Sequence, residues 1–238
     1  MEDNDLAFGI KEAEHYDKWF ETPEGEYTDR VEKELLIKLM KPKAGETLLE
    51  VGCGTGNYLL FFNELGYQVT GLDPSPHMMK YVEGKVPESI KVFQGVSESL
   101  PFPDNSYDVV ALITSFEFVK EAEKGVEEAL RVARKQVVFG ILNKVSCKNI
   151  VRRIQAKKKK GVFLKIKFYS VCEMKRLIRA AADNLGIKGI KIDWGTVLTL
   201  PHCWKKPIRC LEGMLPSINN PFGTFLGISI ELPEKKGE

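Results

Sequence analysis

The chain has 238 residues, 43% of them hydrophobic and 29% charged, with a net charge of +2. That is the make-up of a soluble globular domain with a sizeable core, and a balance so near neutrality argues against a chain built as a whole to bind a polyanion. The longest apolar run, Val137 to Leu142, is too short to cross a bilayer, and the acidic start MEDNDLAFG has no signal-peptide core; five scattered cysteines without a C-x-x-C predict reduced thiols in a cytosol.

In chain order, Asp29 to Met40 reads as a helix, because Val31, Leu35 and Leu39 recur on one face and Pro42 stops it. Thr47 to Val51 reads as a short buried strand, Gly52 to Gly56 as a turn, and Asn57 to Leu65 as a helix closed by Gly66. YQVTGLD is a second strand ending at Asp73. Ser75 caps a helix that has Pro76 at its first position and runs to about Val86. SIKVFQG is a third strand and YDVVALIT a fourth. Glu121 to Arg134 is a helix and QVVFGIL a fifth strand. SVCE, Ser170 to Glu173, reads as a capping box opening a helix to about Leu185. GIKIDWGTVL and GTFLGISIEL are the last two strands, separated by an irregular stretch, and PEKKGE is a frayed tail. The alternation predicts an α/β, doubly wound, Rossmann-like fold, with a mostly parallel seven-stranded sheet and helices on both faces.

LLEVGCGTGNY, Leu48 to Tyr58, is the first segment that carries chemistry. A strand, a glycine loop and a helix open a nucleotide-binding βαβ unit, in which the backbone lies open to a ligand and the helix N-terminus offers free N–H groups. The third glycine falls one residue early for G-x-G-x-x-G, and no Lys-Ser/Thr pair follows, so neither a dinucleotide fingerprint nor a P-loop is met. Glu50 stands where a diphosphate would lie, which favours a ligand with positive charge there. EVGCGTG resembles the first motif of class I S-adenosylmethionine (SAM) methyltransferases, whose cofactor carries an ammonium and a sulfonium. Asp73, 23 residues after Glu50, is an acid placed to accept hydrogen bonds from ribose hydroxyls. GVSESLPFPDNSYD, Gly95 to Asp108, resembles the third and fourth motifs of the same family, usually G-D-A-E-x-L-P-F-x-D-x-S-F-D. Val96 replaces the family's usual Asp, a loss of about 1 kcal/mol at the adenine.

The resemblance covers about Tyr16 to Leu142 well. YDKWFETPEGEYTDRVEKELL is also similar to the ubiquinone/menaquinone-biosynthesis-like branch, where an N-terminal helix often covers the cofactor. It implies SAM, with S-adenosylhomocysteine as product, held by Glu50, Gly52, Cys53, Gly54, Gly56, Asp73, Pro74, Ser97, Glu98 and Thr114, with Tyr16 and Tyr27 closing over it. On the acceptor side it points to Trp19, Phe116, Asn143 and Trp204. In-line attack on the sulfonium methyl needs alignment and dryness more than a dedicated base. The two candidate bases are Glu117, expected as a helix-start or surface carboxylate, and His202. ITSFEF after the fourth strand lacks the [D/N]-P-P-[Y/F] pattern of base-amino methylation, and no metal site is expected, since His202, Cys203 and Cys210 fit no zinc spacing.

The expected organisation is a single domain: a helical cap over 1–41, a SAM-binding core over 42–143, a basic insertion over 144–169, and a C-terminal helix with the last strands over 170–238, carrying a substrate-side insertion at 201–221. From Ala129 to Cys172 there is no acidic residue, and Lys144 to Lys167 holds ten Lys or Arg. The insertion reads as a mobile, solvated lid. The expected activity is methyl transfer to a small molecule. RNA methylation through the basic segment and SAM binding without turnover are the alternatives, and RNA or an anionic lipid surface are partners the charge would suit.

Overall fold

The structure is a computed structural model describing residues 17–159, 166–200, 205–212, 214–215 and 217–233, without the side chains of 83, 156–159 and 206. Its helices are α1 (Pro23–Met40), α2 (Asn57–Glu64), α3 (Pro76–Glu83), α4 (Ala122–Val132), α5 (Cys147–Lys159), α6 (Val171–Asn184) and α7 (Lys206–Glu212). The strands are β1 (Thr47–Val51), β2 (Gln68–Asp73), β3 (Lys91–Gln94), β4 (Tyr107–Ile113), β5 (Ala133–Leu142), β6 (Lys191–Val197) and β7 (Phe225–Glu231).

The sheet has seven strands in the order β3-β2-β1-β4-β5-β7-β6. The sheet is mixed. Neighbours from β3 to β5 pair in parallel, whereas β7 runs antiparallel to both β5 and β6. Side chains alternate between two apolar layers, as a sheet covered on both faces requires. Leu49, Val51, Val110, Leu112, Val137 and Phe139 meet α4 and α6, while Leu48, Val109, Ala111 and Val138 meet α1, α2 and α3. The chain order reverses between β1 and β4, so a crevice opens at their carboxyl ends.

Local chemistry accounts for most boundaries. The expected cap at Ser75 is formed, its hydroxyl accepting from Met78 N–H, and both bonds of the Ser170–Glu173 capping box are present. Three expectations need correction. First, α1 begins six residues before Asp29. Thr22 caps it by accepting from Gly25 N–H, and Pro23 takes the first turn. Second, the basic segment holds a helix the sequence reading did not expect: Cys147–Lys159 is helical, and Ser146 caps it by accepting from Asn149 N–H. Third, the 201–221 stretch contains α7. No described helix is long and apolar enough to cross a membrane.

Candidate active site

The loop after β1 is shaped by left-handed backbone. Gly52 and Gly54 have φ of +77° and +52°, values that cost an ordinary residue energy. A Cβ at Gly52 would also run into the Ser115 side chain, whereas one at Gly54 would meet only open space. Ser115 is fixed in turn by donating to Val51 C=O at 2.7 Å. The loop's floor is the end of β2: Gly52 N–H and Cys53 N–H both donate to Leu72 C=O. Gly56 is left-handed too and caps α2.

Asp73 is the centre of this junction. One carboxylate oxygen accepts from Gly54 N–H and the other from Ser75 N–H, both at 2.8 Å, the second closing a turn around Pro74. Burial raises its pKa, and the two backbone bonds pull it back down. Each oxygen retains a second lone pair for a ligand. Glu50 lies at the end of β1, 1% exposed, and its Oε2 has no hydrogen-bond partner. Burial drives its pKa well above the ordinary carboxylate range, Asp73 adds to the rise, and Lys33 opposes it. Burial first, then Glu50 and Asp73, pushes the Cys53 thiol well above its ordinary range. A buried carboxyl with an orphaned oxygen wants a donor, best a cationic one.

The segment from Ser97 to Tyr107 is held from behind by α4. Arg131 donates to Leu100 C=O and Phe102 C=O and pairs with Asp104 and Glu128, while Glu128 accepts from Leu100 N–H. Ser97 donates to Glu98, which accepts from the N–H groups of Lys120 and Glu121 just before α4. Glu98 therefore stays ionised below its ordinary range despite partial burial. Thr114 ends β4 in the left-handed region, φ 51°, an uncommon posture for a β-branched residue. Its N–H donates to Gly140 C=O, so the neighbouring strand enforces the bend.

Asp17 joins the start of the described residues to the loop. Asp17 accepts from Thr55 Oγ1 at 2.7 Å and from Lys85 Nζ at 2.9 Å. Tyr27 is buried and lines a cleft with Leu35, Val197 and Leu198, and Trp19 stacks edge-on to Phe20. Tyr16, His202 and Trp204 lie outside the described residues.

The acceptor side departs further from the sequence reading. Phe116 is a core residue packed on Phe139 and Tyr169. Asn143 is fully buried, and its amide donates to the carbonyls of Pro221 and Gly223, so it fastens two segments together. Glu117 is not a surface carboxylate: it is 2% exposed, with Oε1 accepting from Leu142 N–H and Oε2 unpartnered. Burial pushes its pKa up to about 7. The Tyr169 hydroxyl is likewise buried without a partner, and burial first, then Glu117, raises its pKa to about 12. Glu32, on the inner face of α1, accepts from Tyr58 Oη; its pKa is pushed up to about 8 by burial and by Asp29, with Arg152 of α5 and Glu117 close enough to be felt.

Sequence reading missed Asp17, Thr55, Glu32, Arg152 and Tyr169, while Ser115 was read beside Thr114, where donor and acceptor would meet. Only Glu32 carried a signal, being an acid on the same face as Leu35, Leu36 and Leu39. Among the described residues no group of His, Cys, Asp and Glu could hold a metal ion.

Similar proteins agree with this arrangement. The methyltransferase-domain family matches residues 49–141, which run from β1 almost to the end of β5. An uncharacterized protein of Methanocaldococcus jannaschii is 34% identical over 184 residues, 76% of this chain and 81% of that protein. The demethylmenaquinone methyltransferase of Listeria welshimeri is 34% identical over 105 residues, but only 41% of this chain and 44% of that enzyme. A SAM-dependent methyltransferase of Thermotoga maritima shares the fold with a TM-score of 0.68 at 24% identity, over 95% of this chain and 97% of that one.

Proposed function

The chain belongs to the SAM-dependent methyltransferases of the methyltransferase-domain family, and from that premise we propose that it transfers the methyl group to a small-molecule acceptor at the carboxyl ends of β1, β4 and β5. The observation that carries the cofactor assignment is the orphaned Oε2 of Glu50 beneath an open glycine loop. The ammonium of SAM would supply the missing donor and stabilise the ionised carboxylate, which a diphosphate, having no N–H or positive charge, would not. Asp73 would take the ribose diol on its remaining lone pairs. The backbone of Cys53, Gly54 and Gly56 would line the amino-acid end, and Pro74, Ser97 and Glu98 the adenosine end. Thr114 and Tyr27 would flank the sulfonium, with Asp17 latching the cap over the loop.

When bound, SAM supplies an electrophilic methyl on a positively charged sulfur. The chain's own work is alignment and exclusion of water. Glu117 is the residue we assign to take a proton where the acceptor must lose one. Its free oxygen and its pKa of about 7 suit a base at neutral pH. Tyr169 Oη, also unsatisfied, would hold the acceptor's polar atom beside it.

The deciding experiment is transfer of labelled methyl from SAM into source-cell extract, separated into small-molecule, lipid, RNA and protein fractions. Label among small molecules or lipids is the expected outcome. Label in RNA would overturn the acceptor assignment. SAM binding in calorimetry with no transfer into any fraction would make this a binding module instead.

A further inference from the structure

The most unusual surface lies on α5. A soluble helix normally buries its aliphatic residues and exposes its polar ones. Here Asn149 is fully buried and Arg152 faces the acids of α1, while Ile150, Val151 and Ile154 are 42%, 50% and 57% exposed. With exposed Cys147 these form one stripe at i, i+3, i+4 and i+7. A second exposed apolar group, Met214 and Phe222, lies on the 214–222 segment. The two belong to one rim. Asn143 donates to the carbonyls of Pro221 and Gly223, and Asn149 to those of Asn143 and Thr224, so the start of α5 is fastened to the end of that segment. Lys148 pairs with Glu24 and ties α5 to the first turn of α1, beside the site.

We propose that this rim docks the protein onto an anionic lipid bilayer surface, with α5 lying in the interface. The acceptor, on the small-molecule reading above, is then a lipophilic compound taken from the membrane. Three observations favour this occupant. Ten Lys or Arg crowd the stretch from Lys144 to Lys167 without one acid, which matches a negatively charged leaflet. An aliphatic stripe set within such charge is the pattern of a helix that lies in the interface plane. At 13 residues α5 spans only about 20 Å, too short to cross. RNA fits less well, since exposed isoleucine and valine offer phosphates nothing. A second copy meeting here about a two-fold axis would set one cationic segment against its twin.

The test uses the full chain in vesicle flotation, with phosphatidylcholine alone or containing about 30% phosphatidylglycerol. We expect capture by the anionic vesicles only, reversed when salt rises from about 0.1 to about 0.5 M. Combined Ile150→Ser, Val151→Ser and Ile154→Ser should weaken capture about tenfold or more, with SAM affinity in calorimetry unchanged. Failure to bind either vesicle, with SAM binding intact, overturns the docking face and leaves the methyltransferase reading standing. Capture together with labelled product only outside the small-molecule and lipid fractions overturns the acceptor reading and leaves the docking face. Tight binding to RNA that excludes vesicles assigns the rim to nucleic acid and overturns the proposal.

Discussion

The region around the glycine loop and the rim formed by α5 and the 214–222 segment solve opposite problems. Around the loop, polar side chains are spent on backbone: Asp73 on Gly54 and Ser75, Glu98 on the approach to α4, Arg131 on Leu100 and Phe102. Apolar side chains there turn inward, and what remains unsatisfied is a single carboxylate oxygen of Glu50. At the rim Ile150, Val151, Ile154, Met214 and Phe222 turn outward, while Asn143 and Asn149 are buried. The family match, residues 49–141, coincides with the first region and stops before the second. On the proposed function, the first region would answer to the methyl donor and the second to the acceptor.

Substitutions in the two regions test this contrast, beginning where the largest effect is expected. Gly52→Val adds a side chain where Ser115 stands and where φ is +77°, so SAM affinity should fall about a hundredfold or more. Near-native affinity in calorimetry would mean that the loop does not hold the donor. Asp73→Ala removes two backbone anchors and the expected ribose acceptor, for a loss of at least about tenfold. An unchanged dissociation constant would sink that assignment. Glu32→Gln probes the acceptor side through pH. The folded chain keeps a proton on Glu32 up to about pH 8, whereas the unfolded chain releases it near 4.5. The stability tied to that proton is present at low pH and is lost as pH rises through about 8. Thermal melts of the unliganded protein should therefore decline between these limits, and Glu32→Gln should flatten the decline by about a few degrees. An identical slope in the variant would show that Glu32 is not buried as described. The smallest effect is expected from replacing Lys157, Lys158 and Lys159 by Gln: SAM affinity should not change, and its collapse would place α5 against the donor.

The succession of strands and helices along the chain and the glycine loop were legible because each rests on local rules: short apolar runs bounded by turn residues, a Pro at a first helical position, glycines at a tight turn. The capping box at Ser170 was readable for the same reason. What stayed hidden depended on contacts far apart in sequence. Nothing local in ITSFEF announces that Glu117 is buried under Leu142 N–H, 25 residues on. Asn143 looked like a ligand contact because it ends a strand at the site, yet its amide is committed to Pro221 and Gly223, 78 and 80 residues away. The lysine run concealed α5 by suggesting a solvated lid, though Ser146 carried the cap. Gly25 disguised the start of α1; a side chain there would strike the Trp19 carbonyl, so packing rather than helix preference selects it.

The paired asparagines at the root of the rim have an evolutionary consequence. Asn143 and Asn149 gather the carbonyls of Pro221, Gly223 and Thr224 at the junction where β5 meets β7. The start of α5 on one side and the 217–220 stretch on the other are moored at that knot. Such a piece can be lengthened, shortened or exchanged between relatives while the strands beneath keep their register. The knot is thus a natural grafting boundary: transplanting the stretch outside it, with both asparagines retained, is the route by which one donor scaffold could be refitted for a different acceptor.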